Sequence, residues 1–251
     1  MLCLCQCINI IMYRSGEMEK FAAIVLSAGT GSRMKSDIPK QYMDLNGRPV
    51  IYYSLKAFED SNVDSIVLVA GRDDIEYCRK EIVEKYGFTK VRAIIAGGAE
   101  RYDSVFEGLK AVKDCDYVMI HDGARPMLNQ DIIKRSWRGA VEYKACVAGM
   151  PVKDTIRVVA DDGTAISTPD RKSLWQIQTP QAFDYKLIYE AYGRVLSDAK
   201  PGGQQVNITD DAMIVECASN VKVHMTEGDY RNIKITTPED IQVAEIFLKK
   251  M

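Results

Sequence analysis

From Phe21 onward, short apolar runs alternate with segments whose apolar residues recur every three or four positions. The runs at 21–27, 65–70, 91–96, 117–121, 145–150 and 221–225 predict strands. Most are apolar at successive positions, as in strands covered on both faces. Between them, residues 49–60, 73–86, 100–113 and 129–143 predict amphipathic helices, as do 184–197 and 209–217 further on. Thr209 is the expected N-cap of the last of these, with Asp210 and Asp211 at the positive end of its dipole. Thr237-Pro238 opens a final helix. This order predicts an α/β fold, a mostly parallel Rossmann-like sheet with helices on both faces.

Residues 151–180 break the rhythm. Two β runs, IRVV and AIST, flank the turn sequence ADDG, which predicts a hairpin arm leaving the main sheet. Ile156, Val158 and Ile166 leave that arm apolar without a covering helix, so self-association is expected. Lys234 lies between Ile233 and Ile235 in an alternating stretch and points away from both. It is either a solvated strand face or an anion anchor.

A formal net charge of −2 over 251 residues excludes a general nucleic-acid binder, which needs a broad basic face. Repeats and low-complexity linkers are missing, so residues 18–251 are expected to form one domain, with the arm at about 151–178. The first 17 residues are apolar but too short to span a bilayer, and they lack a basic start and a cleavage site. Translation is expected to begin at Met18, leaving residues 1–17 disordered or never made. The seven cysteines show no metal-ligand spacing, and Cys78, Cys115, Cys146 and Cys217 read as buried free thiols of a reducing compartment.

In open sheets of this kind ligands gather beyond the carboxyl ends of the strands. The first such loop, SAGTGSRMKSDIPKQY (27–42), has Gly29 and Gly31, which let backbone N–H groups approach a phosphate. Arg33 and Lys40 add a planar multidentate cation and a mobile point charge. The spacing is not that of a P-loop, and Met34 is too large for a dinucleotide fingerprint, whose strand-end acid is also missing at Val69–Gly71. The second loop, GGAERYDS (97–104), is either a capped turn or a contact for base and ribose through Gly98, Ala99 and Ser104. In the third, HDGARP (121–126), Gly123 permits close approach, and Asp122 either pairs with Arg125 or binds a magnesium ion that also takes substrate phosphates. With two histidines in the chain, His121 reads as buried and structural. Thr155, Arg171 and Thr179 fall at the base of the arm, and Arg171 is either solvated or turned to a substrate.

These three strings, followed by KDT, PDR, TPQAF, TDDA and NIKITTPED, resemble the 2-C-methyl-D-erythritol 4-phosphate cytidylyltransferases in order and approximate spacing, from Phe21 to about Leu248. The resemblance implies the nucleotidyltransferase, GT-A-like form of the α/β fold and a cytoplasmic, magnesium-dependent enzyme of the non-mevalonate isoprenoid pathway. CTP and a polyol phosphate would be its substrates. It implies that Arg33 and Lys40 stabilise the charged transition state, and that Ala28, Gly29, Gly98, Ala99, Ser104, Asp122, Gly123 and Arg125 line the nucleotide site. Thr155, Arg171 and Lys234 would hold the second substrate, the first two across a homodimer joined by the arm. Two alternatives stand beside it. Ribitol 5-phosphate cytidylyltransferases share the nucleotide loops but usually carry Ser-Val where this chain has Gly123 and Ala124, and a non-catalytic nucleotide-binding regulator would be marked by loss of the loop cations.

Overall fold

The computed structural model describes residues 19–29, 34, 36, 38–198 and 208–249. Residues 1–17, Gly31 and Arg33, on which expectations above fall, lie outside the described residues.

The first strand, β1 (Phe21–Ser27), sends alternate residues to opposite faces. Phe21, Ala23 and Val25 enter one apolar layer, while Ala22 and Ile24 enter the other. A 3₁₀ turn at Lys40–Tyr42 and a small ribbon, β2 (Asp44–Leu45) and β3 (Arg48–Pro49), lead to α1 (Val50–Glu59) and β4 (Ser65–Ala70). Next come α2 (Ile75–Tyr77), which runs on as a π-helical stretch at Cys78–Glu84, β5 (Val91–Ala96), α3 (Arg101–Ala111), β6 (Tyr117–Asp122) and α4 (Gln130–Tyr143). After β7 (Ala145–Pro151), the short strands β8 (Val158–Val159) and β9 (Ala165–Ser167) pair as the expected arm. The chain closes through β10 (Trp175–Asp184), α5 (Tyr185–Asp198), α6 (Asp211–Ala218), β11 (His224–Glu227) and α7 (Pro238–Leu248).

Among the described residues the main sheet has the order β11-β7-β10-β6-β1-β4-β5. Pairing is parallel throughout except for β10, which runs antiparallel between β6 and β7. Helices α1, α2 and α4 contribute Leu55, Phe58, Cys78 and Ile132 to one face; α3, α5 and α6 contribute Val105, Leu109, Tyr192 and Ile214 to the other. Phe58, Ile132, Leu109 and Ile214 are wholly buried, each worth roughly 1.5–3 kcal/mol of transfer free energy. A mostly parallel sheet with helices on both faces is the fold the sequence pattern predicts.

Several local expectations change. Strand β10 was not predicted. The strand expected at 221–225 lies at His224–Glu227. Asp210, not Thr209, caps α6, its Oδ1 accepting from Met213 N at 3.0 Å. Lys234 lies on an extended segment outside the sheet, with Ile235 N donating to Ala124 O at 2.8 Å. Ile233 and Ile235 turn into a third apolar cluster with Val50, Met127 and Ala244 of α7, so Lys234 faces the other way, as expected. Of the thiols expected to be buried, Cys78 and Cys146 are, whereas Cys115 is half-buried and Cys217 is exposed.

Candidate active site

The chain leaves β1 for β4 and β5 on one side and returns to β6 on the other, so the switch point of the sheet lies between β1 and β6. A ligand crevice is expected beyond the carboxyl ends of these strands. A cleft of about 210 Å³ opens there, lined by Ala28 and Gly29 after β1, Lys40, Gly98 and Ala99 after β5, and Asp122 at the end of β6.

Lys40 reaches the cleft from the 3₁₀ turn, which is pinned by its neighbour. The Gln41 side-chain amide donates to Ser27 O at 2.6 Å and Gly29 O at 3.1 Å. Tyr42 completes the anchor, its hydroxyl 3.1 Å from Cys78 Sγ, a thiol that burial pushes up to about 11. Lys40 is therefore carried on a buried, hydrogen-bonded base beside the Gly-rich loop.

The second wall begins at Gly97, whose N–H donates to Ala70 O at 2.8 Å. Ser104 Oγ accepts from Gly98 N and donates to Glu100 O, both at 3.1 Å, so its hydroxyl also serves the turn. Glu100 caps α3 reciprocally with Asp103. Arg101 follows in the first helical turn, a position where the dipole disfavours a cation. Its compensation is local: Nη1 and Nη2 donate to Asp211 at 2.9 Å each, and Nε donates to Asp122 at 3.2 Å.

Asp122 is the electrostatic centre. Oδ1 accepts from Arg101, Oδ2 lies 2.8 Å from Lys234 Nζ, and Arg125 Nε stands 3.7 Å from Oδ2. Burial alone would raise its pKa, but Arg101, Lys234 and Arg125 outweigh that and hold the carboxyl well below the usual carboxylate range. Burial likewise opposes the charge on Arg101, and Asp211 with Asp122 more than restores it. The result is a fixed anion ringed by cations in a cleft that also receives Lys40, an arrangement suited to a polyphosphate ligand.

Of the residues expected from sequence, Ala28, Gly29, Lys40, Gly98, Ala99, Ser104, Asp122 and Lys234 come together at this cleft. Gly123 and Arg125 lie behind it. Gly123 N donates to Leu26 O at 2.8 Å, and Arg125 Nη1 to Asn232 O at 2.8 Å, bracing the loop beneath Asp122. Thr155 and Arg171 are exposed on the arm, where Arg171 Nη1 donates to Lys153 O at 3.0 Å. Gln41, Arg101 and Asp211 were missed. Arg101 carried a readable signal, a cation placed against the helix dipole, and Asp211 another, since one carboxylate suffices for a cap.

A mostly parallel α/β sheet with a cation-lined cleft at its switch point fits a nucleotidyltransferase-type enzyme. The family profile of 2-C-methyl-D-erythritol 4-phosphate cytidylyltransferase matches residues 21–250, and the chain belongs to that family. The family's protein from Lachnospira eligens is 56% identical over 228 residues, covering 90% of this chain and 98% of that one. The one from Lachnoclostridium phytofermentans is 50% identical over 233 residues, covering 93% and 98%. The crystal structure of 4-diphosphocytidyl-2C-methyl-D-erythritol synthase from Anaerococcus prevotii is similar with a TM-score of 0.80 and 35% identity, covering 92% of this chain and 96% of that one. Among the described residues, no helix is long and apolar enough to cross a membrane.

Proposed function

We propose that this cleft performs the family's reaction, transfer of CMP from CTP to the phosphate of 2-C-methyl-D-erythritol 4-phosphate. The products are 4-diphosphocytidyl-2-C-methyl-D-erythritol and pyrophosphate, a step of the non-mevalonate route to isoprenoids. The observation that carries the reading is the convergence of Lys40, Arg101 and Lys234 with the ionised Asp122 at the switch point. A phosphate oxygen of the second substrate attacks the α-phosphorus, the bond to the β-phosphate breaks, and pyrophosphate leaves. The nucleophile is already anionic near neutral pH, so positioned cations are what the enzyme must supply.

Lys40, with Arg33 of the same loop, stabilises the charge that spreads over the transferring phosphoryl group. Gly29 and Gly98 let the main chain approach the nucleotide, and Ala28, Ala99 and Ser104 shape its base and ribose pocket. Gly123 and Arg125 support that pocket from below. Lys234 meets the phosphate of the second substrate.

Magnesium fits as an ion that arrives on the triphosphate. Among the described residues no group of three or more His, Cys, Asp or Glu comes together, whereas Asp122 supplies the single carboxylate that such a metal takes beside substrate phosphates. When bound, the ion neutralises charge on the departing pyrophosphate.

The arm points to a homodimer. Ile166 is 66% exposed and Val159 53% exposed, apolar surface that a second copy would cover. Thr155 and Arg171 then serve the partner's cleft. We place this single domain of residues 18–251 in the cytoplasm, where its phosphorylated substrates are retained.

The test is pyrophosphate release with magnesium and CTP, comparing methylerythritol 4-phosphate with ribitol 5-phosphate. Faster release with the branched substrate is expected, and Lys40→Ala should lower turnover by roughly two to three orders of magnitude. Preference for ribitol phosphate would redirect the substrate assignment. CTP binding without turnover on either would favour a regulator.

A further inference from the structure

Arg101 divides its guanidinium between two carboxylates. Nη1 and Nη2 form a fork on Asp211, leaving Nε for Asp122. Asp211 is itself wholly buried, and the wholly buried Tyr192 of α5 donates its hydroxyl to Asp211 Oδ1 at 2.6 Å. Helix capping does not account for Asp211, because Asp210 already accepts from Met213 N, and Gln181 Nε2 donates to Asp210 Oδ2 at 3.0 Å. Stability is a weak reason as well, since burying a charge pair costs desolvation that its attraction seldom exceeds.

What the pair does provide is direction. A long arginine side chain samples many rotamers, and a bidentate carboxylate fixes the plane of its fork. With that fork held from behind by α6, the remaining N–H edge faces Asp122 Oδ1, leaving Oδ2 to Lys234. We propose that Asp211, steadied by Tyr192, is a positioning residue that acts through Arg101 to hold the Asp122 carboxylate aimed into the cleft. The inference rests on the reading of the cleft as the CTP site.

A double-mutant cycle on kcat/KM for CTP tests it, using Arg101→Gln, Asp211→Asn and the pair. Each single change is expected to lower kcat/KM by about tenfold or more, and the double variant to be no worse than Arg101→Gln alone. Tyr192→Phe keeps the ion pair and is the milder probe. Its loss, about threefold, should vanish when Arg101 is already glutamine. Additive losses, or a folded Asp211→Asn enzyme with unaltered kcat/KM, would overturn the positioning role while leaving the cleft reading intact. Should Asp211→Asn fail to fold, a Tyr192→Phe loss that persists beside Arg101→Gln overturns it equally. An Arg101→Gln enzyme with full kcat/KM would instead remove the cleft reading and this inference together.

Discussion

The side-chain amide of Gln41 donates to the main-chain carbonyl of Ser27 at 2.6 Å, joining the turn that carries Lys40 to the end of β1. The same nitrogen reaches Gly29 O, and Gln41 is almost fully buried. Gln41→Glu keeps the shape but turns carboxylate oxygens toward both carbonyls. Stability should fall by about 1–3 kcal/mol, the usual result of leaving buried polar groups unsatisfied. Turnover should fall about tenfold because the base of Lys40 loosens. Urea unfolding and single-turnover rates check the two effects, and a folded variant with normal turnover would show that Lys40 is held in some other way.

His121 gives the pH dependence. Thr179 Oγ1 accepts from Asp122 N at 3.1 Å and lies 3.0 Å from His121 Nδ1. The Arg125 carbonyl, 3.3 Å from Nε2, can only accept, so Nε2 carries a proton, and in the neutral ring Nδ1 accepts from the Thr179 hydroxyl. Burial lowers the His121 pKa from 6.5 to about 4, with Asp122 pulling it up and Arg125 down. Between those values the unfolded chain binds the extra proton, so stability is lost as pH falls through that window. From about pH 7 to about pH 5 the expected loss is on the order of 2 kcal/mol. Urea unfolding at both values measures it, and His121→Gln should flatten the slope. Equal slopes would place the acid sensitivity elsewhere.

Gly97 sets the spacing between the two nucleotide walls. A Cβ there would stand 2.5 Å from Ala28 Cβ and 2.7 Å from Ser104 Oγ. Ala28 Cβ is fixed to its backbone and cannot rotate away, so Gly97→Ala must part the loop after β1 from the start of α3. Overpacking of this kind costs about 1–3 kcal/mol. Equilibrium titration with CTP should show binding weakened by about tenfold; unchanged affinity would mean that the nucleotide does not bridge these loops.

The fold was legible where burial on both faces wrote continuous apolar runs, as in β1, β4 and β6. Strand β10 was hidden for a physical reason. Its sequence, WQIQTPQAFD, carries Pro180 and several glutamines, and a proline argues against a central strand unless the ladder is broken there. The ladder is broken: the register with β7 shifts between Ile177 and Gln181. Two of its three glutamines are used up in the interior, Gln181 on Asp210 and Ala212 N, Gln178 on Asp229 O, and Gln176 is exposed. Most cleft residues were legible because glycines and cations cluster after β1, β5 and β6. Asp211 was not, because its partner Arg101 lies 110 positions away and local spacing suggested a cap.

The arm offers the last test. Arg171 is exposed and bonded to Lys153 O within its own chain, whereas Lys40 lines the cleft. If the arm serves the partner's cleft, each complete site takes Lys40 from one copy and Arg171 from the other. Lys40→Ala and Arg171→Ala homodimers should then both be weak, the second chiefly through a raised KM for methylerythritol phosphate. Unfolding and refolding an equal mixture makes half of the dimers mixed, and each mixed dimer has one site with both residues intact. Activity at moderate substrate should recover to roughly a quarter of the unaltered enzyme's. Recovery no greater than the average of the two variants would mean that Arg171 acts in its own chain or not at all.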